Sequence, residues 1–231
     1  MSSDARRQRR DHRGSDDDDR LRRNRLLRGP QIWESTPDVE RIAFFSDAVF
    51  AIAITLLVVE LTVPEGPASR LGAALRELGP KFFAFALSFL VIGQFWMAHH
   101  RIFRYVRRYD LGLLWVNLLF LLTVAFLPFP TALLGAYFDA HIAGVFYGLS
   151  LFVPSALGMV LWFYASSRAL LGDVPRATRH QIVMRGIATP VVFLLGTGAA
   201  LFDTRLAVFC WTVLVPMARV GLALVVRPAE E

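Results

Sequence analysis

Long apolar blocks alternate with short polar or basic connections from residue 42 almost to the C-terminus. Within each block the hydrophobic residues are nearly continuous and do not fall on one amphipathic stripe, which is the pattern of a helix with apolar surroundings on every side. A bilayer core about 30 Å thick takes roughly 20 apolar residues per helix. Six blocks fit, and they predict membrane spans at 42–63, 82–99, 111–134, 142–166, 182–202 and 206–226. Pro64, Gly66 and Pro67 end the first span, and a polar stretch at 68–80 with room for a helical turn leads to the second. RIFRYVRRYD forms a basic connection to the third, which carries Pro128 and Pro130 near its far end. A short link at 135–141, a polar loop at 168–181 and a tight turn at Asp203-Thr204 join the rest.

Composition supports an all-α integral membrane protein. The chain is 55% hydrophobic, with a mean hydropathy of +0.47. Residues 1–35 differ: they form a basic and acidic tail that cannot bury a core and is expected to be disordered. The membrane domain is expected over 36–228. The tail does not read as a signal peptide, because no apolar segment follows its arginines directly. Its mixed blocks suit either a solvated, orientation-setting tail or a contact with a partner or anionic lipid.

The net charge of +6 raises nucleic acid as a partner, but its distribution argues against that. Arginines sit in the tail and at helix ends, and Lys81 is the one lysine. Summed over alternate connections, 21 of the 25 Lys and Arg fall on one side of the membrane and 4 on the other. The positive-inside rule then places both termini in the cytoplasm. A single cysteine, Cys210, leaves no disulfide or cysteine-based metal site.

Polar residues inside the spans carry the candidate chemistry. Asp47 lies about five residues into the first span, where a carboxylate costs up to a few kcal/mol and by default marks function. The competing reading is a clamp that only fixes helix packing. The second span runs back inward, so Trp96, His99 and His100 lie at its cytoplasmic end. Asn117 lies about 9 Å into the third span by helical rise. Asp47, His99 and Asn117 therefore reach one depth from three helices, with the Trp96 indole beside them, and predict a hydrogen-bond network. A histidine there either titrates near neutrality or serves as a satisfied structural residue.

At about 100° per residue, Ile52, Leu56, Val59 and Val63 share one stripe of the first span with Thr55 on its flank. Asp47 falls on the opposite side. The stripe faces a pore, lipid or the bundle core; periodicity alone does not choose.

The residues also carry a resemblance. Arg41, then Phe45-Ser46-Asp47, then AVFAIAITLLVVEL resembles the first helix of the transmembrane protein 175 family of potassium channels. The likeness continues through Trp96-Met97-Ala98-His99 and through NLLFLLTVAFLPFPTALLG. A single six-helix unit is similar to the prokaryotic branch rather than to the tandem animal proteins. The resemblance implies a homotetramer in a prokaryotic cell membrane, with the first helix of each subunit lining a central pore. It implies a hydrophobic constriction at Ile52, Leu56 and Val59, and a selectivity role for Thr55. Val59 is smaller than the leucine that prokaryotic members often carry. Arg41, Phe45, Ser46 and Asp47 would hold the first helix in place, with Trp96, His99 and Asn117 as supports. Permeant K+ would pass with no cofactor, and the partners would be the lipid bilayer and further copies of the chain.

The rival reading is a proton-permeable channel or proton-coupled transporter using Asp47 and His99. Against a transporter, the sequence shows no inverted repeat and no matched pair of broken helices. No nucleophile–base pair supports an enzyme, and His99-His100 lacks acidic or cysteine ligands at useful spacing for a metal. No TVGYG-type carbonyl filter is present, so looser selectivity is expected than in filter-bearing channels. Arg101, Arg104 and Arg107 recur every third residue, as in a voltage sensor, but at a helix end beside tyrosines they also read as an interfacial anchor. Gly144 and Gly148 predict a close-packing face within or between subunits. Pro154, Pro190 and Pro216 predict kinks, and Arg219 falls inside the last span.

Overall fold

The computed structural model describes residues 36–214, and these are all-helical apart from one isolated bridge between Val106 and Leu171. Helix α1, Thr36–Leu56, tightens into a 3-10 turn at Leu57–Glu60 before the prolines. A short helix α2, Leu71–Glu77, precedes α3, Gly79–Phe103. Pro80 occupies the first turn of α3, where its missing N–H is no loss. Helix α4, Leu111–Phe126, is followed by α5, Pro128–Ala136. Pro128 cannot donate to the α4 ladder, so the third span is two helices. They still make one apolar path, Leu111–Ala136. Helices α6, His141–Ser167, and α7, Arg176–Ala200, keep Pro154 and Pro190 inside them. Helix α8, Thr204–Phe209, begins at Asp203, whose carboxylate accepts from the Arg205 N–H at 2.7 Å, and widens into a π turn at Cys210–Leu214.

Five stretches among the described residues are long and apolar enough to cross a membrane: Asp38–Glu60, Gly79–Phe103, Leu111–Ala136, His141–Ser167 and Arg176–Ala200. Several run beyond the apolar blocks, because a helix continues through polar residues at its ends while backbone bonding continues. The sixth span is described as the shorter apolar helix Thr204–Val213. The rest of it, with Pro216 and Arg219, and the whole tail at 1–35 lie outside the described residues.

Two apolar clusters hold the bundle together. One joins α1, α3, α4, α6, α7 and the π turn after α8 through Phe50, Ile92, Phe120, Tyr147, Phe193 and Trp211. The other, built on Phe103, Leu113, Leu161, Trp162 and Leu170, lies under the basic connections. The glycines of α6 serve packing within this chain. A Cβ on Gly148 would collide with Thr197 and Trp211, and one on Gly144 would come within 3.0 Å of Thr204. A second buried polar cluster ties α3, α5 and α6, with Ser88 Oγ 2.9 Å from the Tyr147 hydroxyl and 2.7 Å from Thr131 Oγ1.

The connections at 104–110 and 168–175 are stitched together. Ala169 turns the chain with φ 54°, and the Leu170 carbonyl then accepts from the Arg107 and Arg108 N–H groups at 2.9 and 3.2 Å. Buried Asp110 caps α4 by accepting from Leu113 N–H at 2.8 Å. It also accepts from the Tyr164 hydroxyl at 3.0 Å and lies 3.6 Å from Arg168.

Candidate functional site

Helix α1 has two unlike faces. Ser46, Phe50, Ala53 and Leu57 recur every three or four residues and are buried, against α3 and α4. Among the described residues the opposite stripe is left largely uncovered: Ile52, Leu56 and Val59 are 59%, 47% and 66% exposed. Only 22% of this first apolar stretch is buried, against 39% for each of the next three. Thr55 is exposed beside the stripe, and its hydroxyl donates to the Ile52 carbonyl at 2.9 Å.

The buried side of α1 is fixed by a chain of hydrogen bonds with a defined direction. Ser46 Oγ donates to the Ile42 carbonyl at 2.9 Å. Its oxygen is then free to accept from Asn117 Nδ2, 3.0 Å away. That turns the Asn117 carbonyl oxygen toward His99 Nε2 at 2.8 Å, so the imidazole donates from Nε2. Ser46, Asn117 and His99 are all buried. The His99 ring is stacked between Phe103 and Phe120, with centroids 4.3 and 5.5 Å away, which fixes its plane. These hydrogen bonds join α1, α3 and α4, through Ser46 rather than through the expected Asp47.

Asp47 is placed next to this chain rather than in it. Its Oδ1 accepts from Trp96 Nε1 at 2.8 Å, a second tie between α1 and α3 at the half-buried edge of the interface. Trp96 is 39% exposed. Arg41 and Phe45 line a surface recess that also reaches Asn117. The Arg41 guanidinium lies 4.0 Å from Asp38 with 83% of its side chain exposed, and the Phe45 ring is exposed.

Asp110 is a residue that sequence reasoning missed. Its signal was present, because an Asp immediately before a long apolar run is a helix N-cap pattern. Its ties to Tyr164 and Arg168, more than fifty residues away, have no sequence signal. Among the described residues no group of three or more His, Cys, Asp or Glu side chains could hold a metal.

Residues 41–128, which hold every one of these site residues, match the family model described as endosomal/lysosomal potassium channel TMEM175. A potassium channel of Streptomyces collinus is 38% identical over 163 residues, covering 65% of this chain and 79% of that protein. The chain belongs to the TMEM175 family. That places it among ion channels rather than enzymes. A potassium channel of Chamaesiphon minutus is 40% identical over 149 residues, 62% of this chain and 72% of that protein. The human endosomal/lysosomal proton channel TMEM175 is 38% identical over 98 residues, 19% of its own length. The fold agrees. The crystal structure of a lysosomal potassium-selective channel TMEM175 homolog from Chamaesiphon minutus superposes with a TM-score of 0.72 at 32% identity, covering 81% of this chain and 99% of that one.

Proposed function

We propose that this TMEM175 family member is a potassium-permeable cation channel in which four copies of α1 enclose the conduction path. The observation that carries the reading is the exposed apolar stripe Ile52, Leu56 and Val59 on a helix whose other side is buried and hydrogen-bonded. One subunit of this size has no room for an aqueous path along its own axis. Copies of one helix around a symmetry axis do, and rings of isoleucine, leucine and valine close such a path by dewetting. The Thr55 hydroxyls would replace part of the ion's hydration beside the constriction. Ser46, Asn117 and His99, with the Trp96–Asp47 tie, act as the scaffold that sets the angle of α1. Both termini are assigned to the cytoplasm, on the side of the 104–110 and 168–175 connections, following the arginine distribution.

The test is potassium flux into liposomes holding the purified protein, wild type against Ile52→Asn. Measurable flux in the wild type, increased in the variant, supports a hydrophobic gate. No flux from a well-folded protein in either variant, with potassium, sodium, caesium or protons, refutes a channel. Proton permeation through the same pore is the second reading, supported by the proton-channel names of the animal relatives. A pH-sensitive dye inside the same liposomes separates the two.

A further inference from the structure

Away from α1, a cavity of about 160 Å³ opens between α3, α4, α6 and α7. Its walls are apolar over Phe95, Phe120, Pro154, Trp162 and Ile182, but two arginines, Arg101 and Arg185, share its lining with the hydroxyl-bearing Ser155 and Thr189. Among the described residues neither guanidinium has a carboxylate partner, and Arg185 Nε is buried with no acceptor. The Ser155 and Thr189 hydroxyls donate to carbonyls of their own helices, Phe152 and Arg185, at 2.7 and 2.9 Å, so neither proton is available to the cavity. Two like charges sharing a largely apolar recess repel each other and lose part of their hydration, a cost that a bound anion offsets. Met97, also in the wall, is 49% exposed, so the recess reaches the outer surface of the bundle.

We infer that this recess is a binding site for the headgroup of an anionic, phosphate-bearing lipid. A guanidinium pair presents planar, forked donors that match phosphate oxygens. A cavity of about 150 Å³ holds a group the size of benzene, so the recess takes the phosphate of a headgroup and leaves the rest of the lipid against the exposed apolar surface. Arg101 lies two residues before the end of the Gly79–Phe103 stretch, at headgroup depth rather than mid-membrane, where basic pockets between helices bind such lipids. With the orientation proposed above, the lipid comes from the cytoplasmic leaflet. His99 shares this wall, so the bound headgroup abuts the residue that holds Asn117 and, through it, α1.

The test is the unfolding temperature of the full chain in neutral detergent, with dioctanoyl phosphatidylglycerol, dioctanoyl phosphatidylcholine or inorganic phosphate added. This readout depends on neither conduction nor orientation, so its failure is separable from failure of the channel reading. Phosphatidylglycerol is expected to raise the midpoint by roughly 3–6 °C at tenfold excess over its dissociation constant. Phosphatidylcholine and inorganic phosphate are expected to shift it far less. The shift should vanish when Arg101→Gln and Arg185→Gln are combined, and persist in Arg104→Gln, whose side chain is exposed and outside the recess. Should the double variant fail to fold, Gly158→Leu serves instead. The nearest atom to a Cβ there is Phe120 Cε2 at 3.8 Å, so the β-carbon is accommodated and the rest of the leucine side chain occupies space in the recess. An equal shift from inorganic phosphate overturns the lipid assignment. A phosphatidylglycerol shift that survives both Gly158→Leu and any folded double variant, or no shift at all, overturns the site.

Discussion

Asn117→Leu removes the middle link between α1, α3 and α4 while keeping side-chain volume close. The two bonds it breaks are unequal. Ser46 loses an incoming donor but keeps its own bond to the Ile42 carbonyl at 2.9 Å. His99 Nε2 loses its acceptor, and His99 is only 2% exposed. Leaving a buried donor unsatisfied costs about 1–3 kcal/mol, while hydrogen bonds between membrane helices average about 0.6 and reach about 1.7 kcal/mol. Together these put Asn117→Leu at about 2 kcal/mol. His99→Leu strands the Asn117 carbonyl and also loses the ring stacks on Phe103 and Phe120. The stacking loss is common to the single and double variants and cancels in a double-mutant cycle. The double variant leaves no orphan on either side, so it should be less destabilised than the sum of the singles by about 1 kcal/mol. The assay is reversible unfolding in mixed micelles with increasing denaturing detergent, followed by far-UV circular dichroism. Additivity within about 0.5 kcal/mol, the behaviour of uncoupled sites, would refute the hydrogen-bond chain.

Other consequences are as direct. Trp96→Phe removes one bond, to Asp47 at the exposed edge, and should cost less than Asn117→Leu, about 0.5–1 kcal/mol in the same unfolding assay. Gly148→Leu drives a side chain into Thr197 and Trp211; a loss above about 3 kcal/mol is expected, seen as loss of the monodisperse peak in size-exclusion chromatography. Asp110→Ala removes the α4 cap and leaves Tyr164 without its acceptor, for a loss of about 2–3 kcal/mol measured by thermal unfolding. Ile52→Asn should raise potassium flux while moving the unfolding midpoint little, because Ile52 is 59% exposed among the described residues. A large midpoint shift with no gain in flux would point to a packing role for the stripe instead.

The membrane class and the approximate positions of the first five spans were legible in the sequence, because hydrocarbon thickness forces long apolar runs whatever the packing. Alternating span direction also assigned Asp47, Trp96, His99 and Asn117 to one level, whereas Ser46 was not part of that depth argument. What depth does not assign is the partner. Asp47 bonds Trp96, while it is the Ser46 hydroxyl that takes Asn117 and so connects to His99. One residue's step of about 100° around α1 separates the two, and only the packed positions of α3 and α4 decide which of them is buried. The close-packing glycines of α6 were visible as a pattern, but whether they faced a helix of this chain depended on where Thr197, Thr204 and Trp211 came to lie. Asp110 announced itself as a cap, yet its bond to Tyr164 and its pairing with Arg168 bridge the loops at the two ends of α4 and α6. The arginine recess had no sequence signal at all, because Arg101 and Arg185 are 84 positions apart. The sequence by itself determined what each segment must avoid, namely bare backbone and charge in hydrocarbon. The tertiary structure decided which polar groups meet, because hydrogen bonds act over about 3 Å, and sequence spacing alone does not fix distances that short between helices.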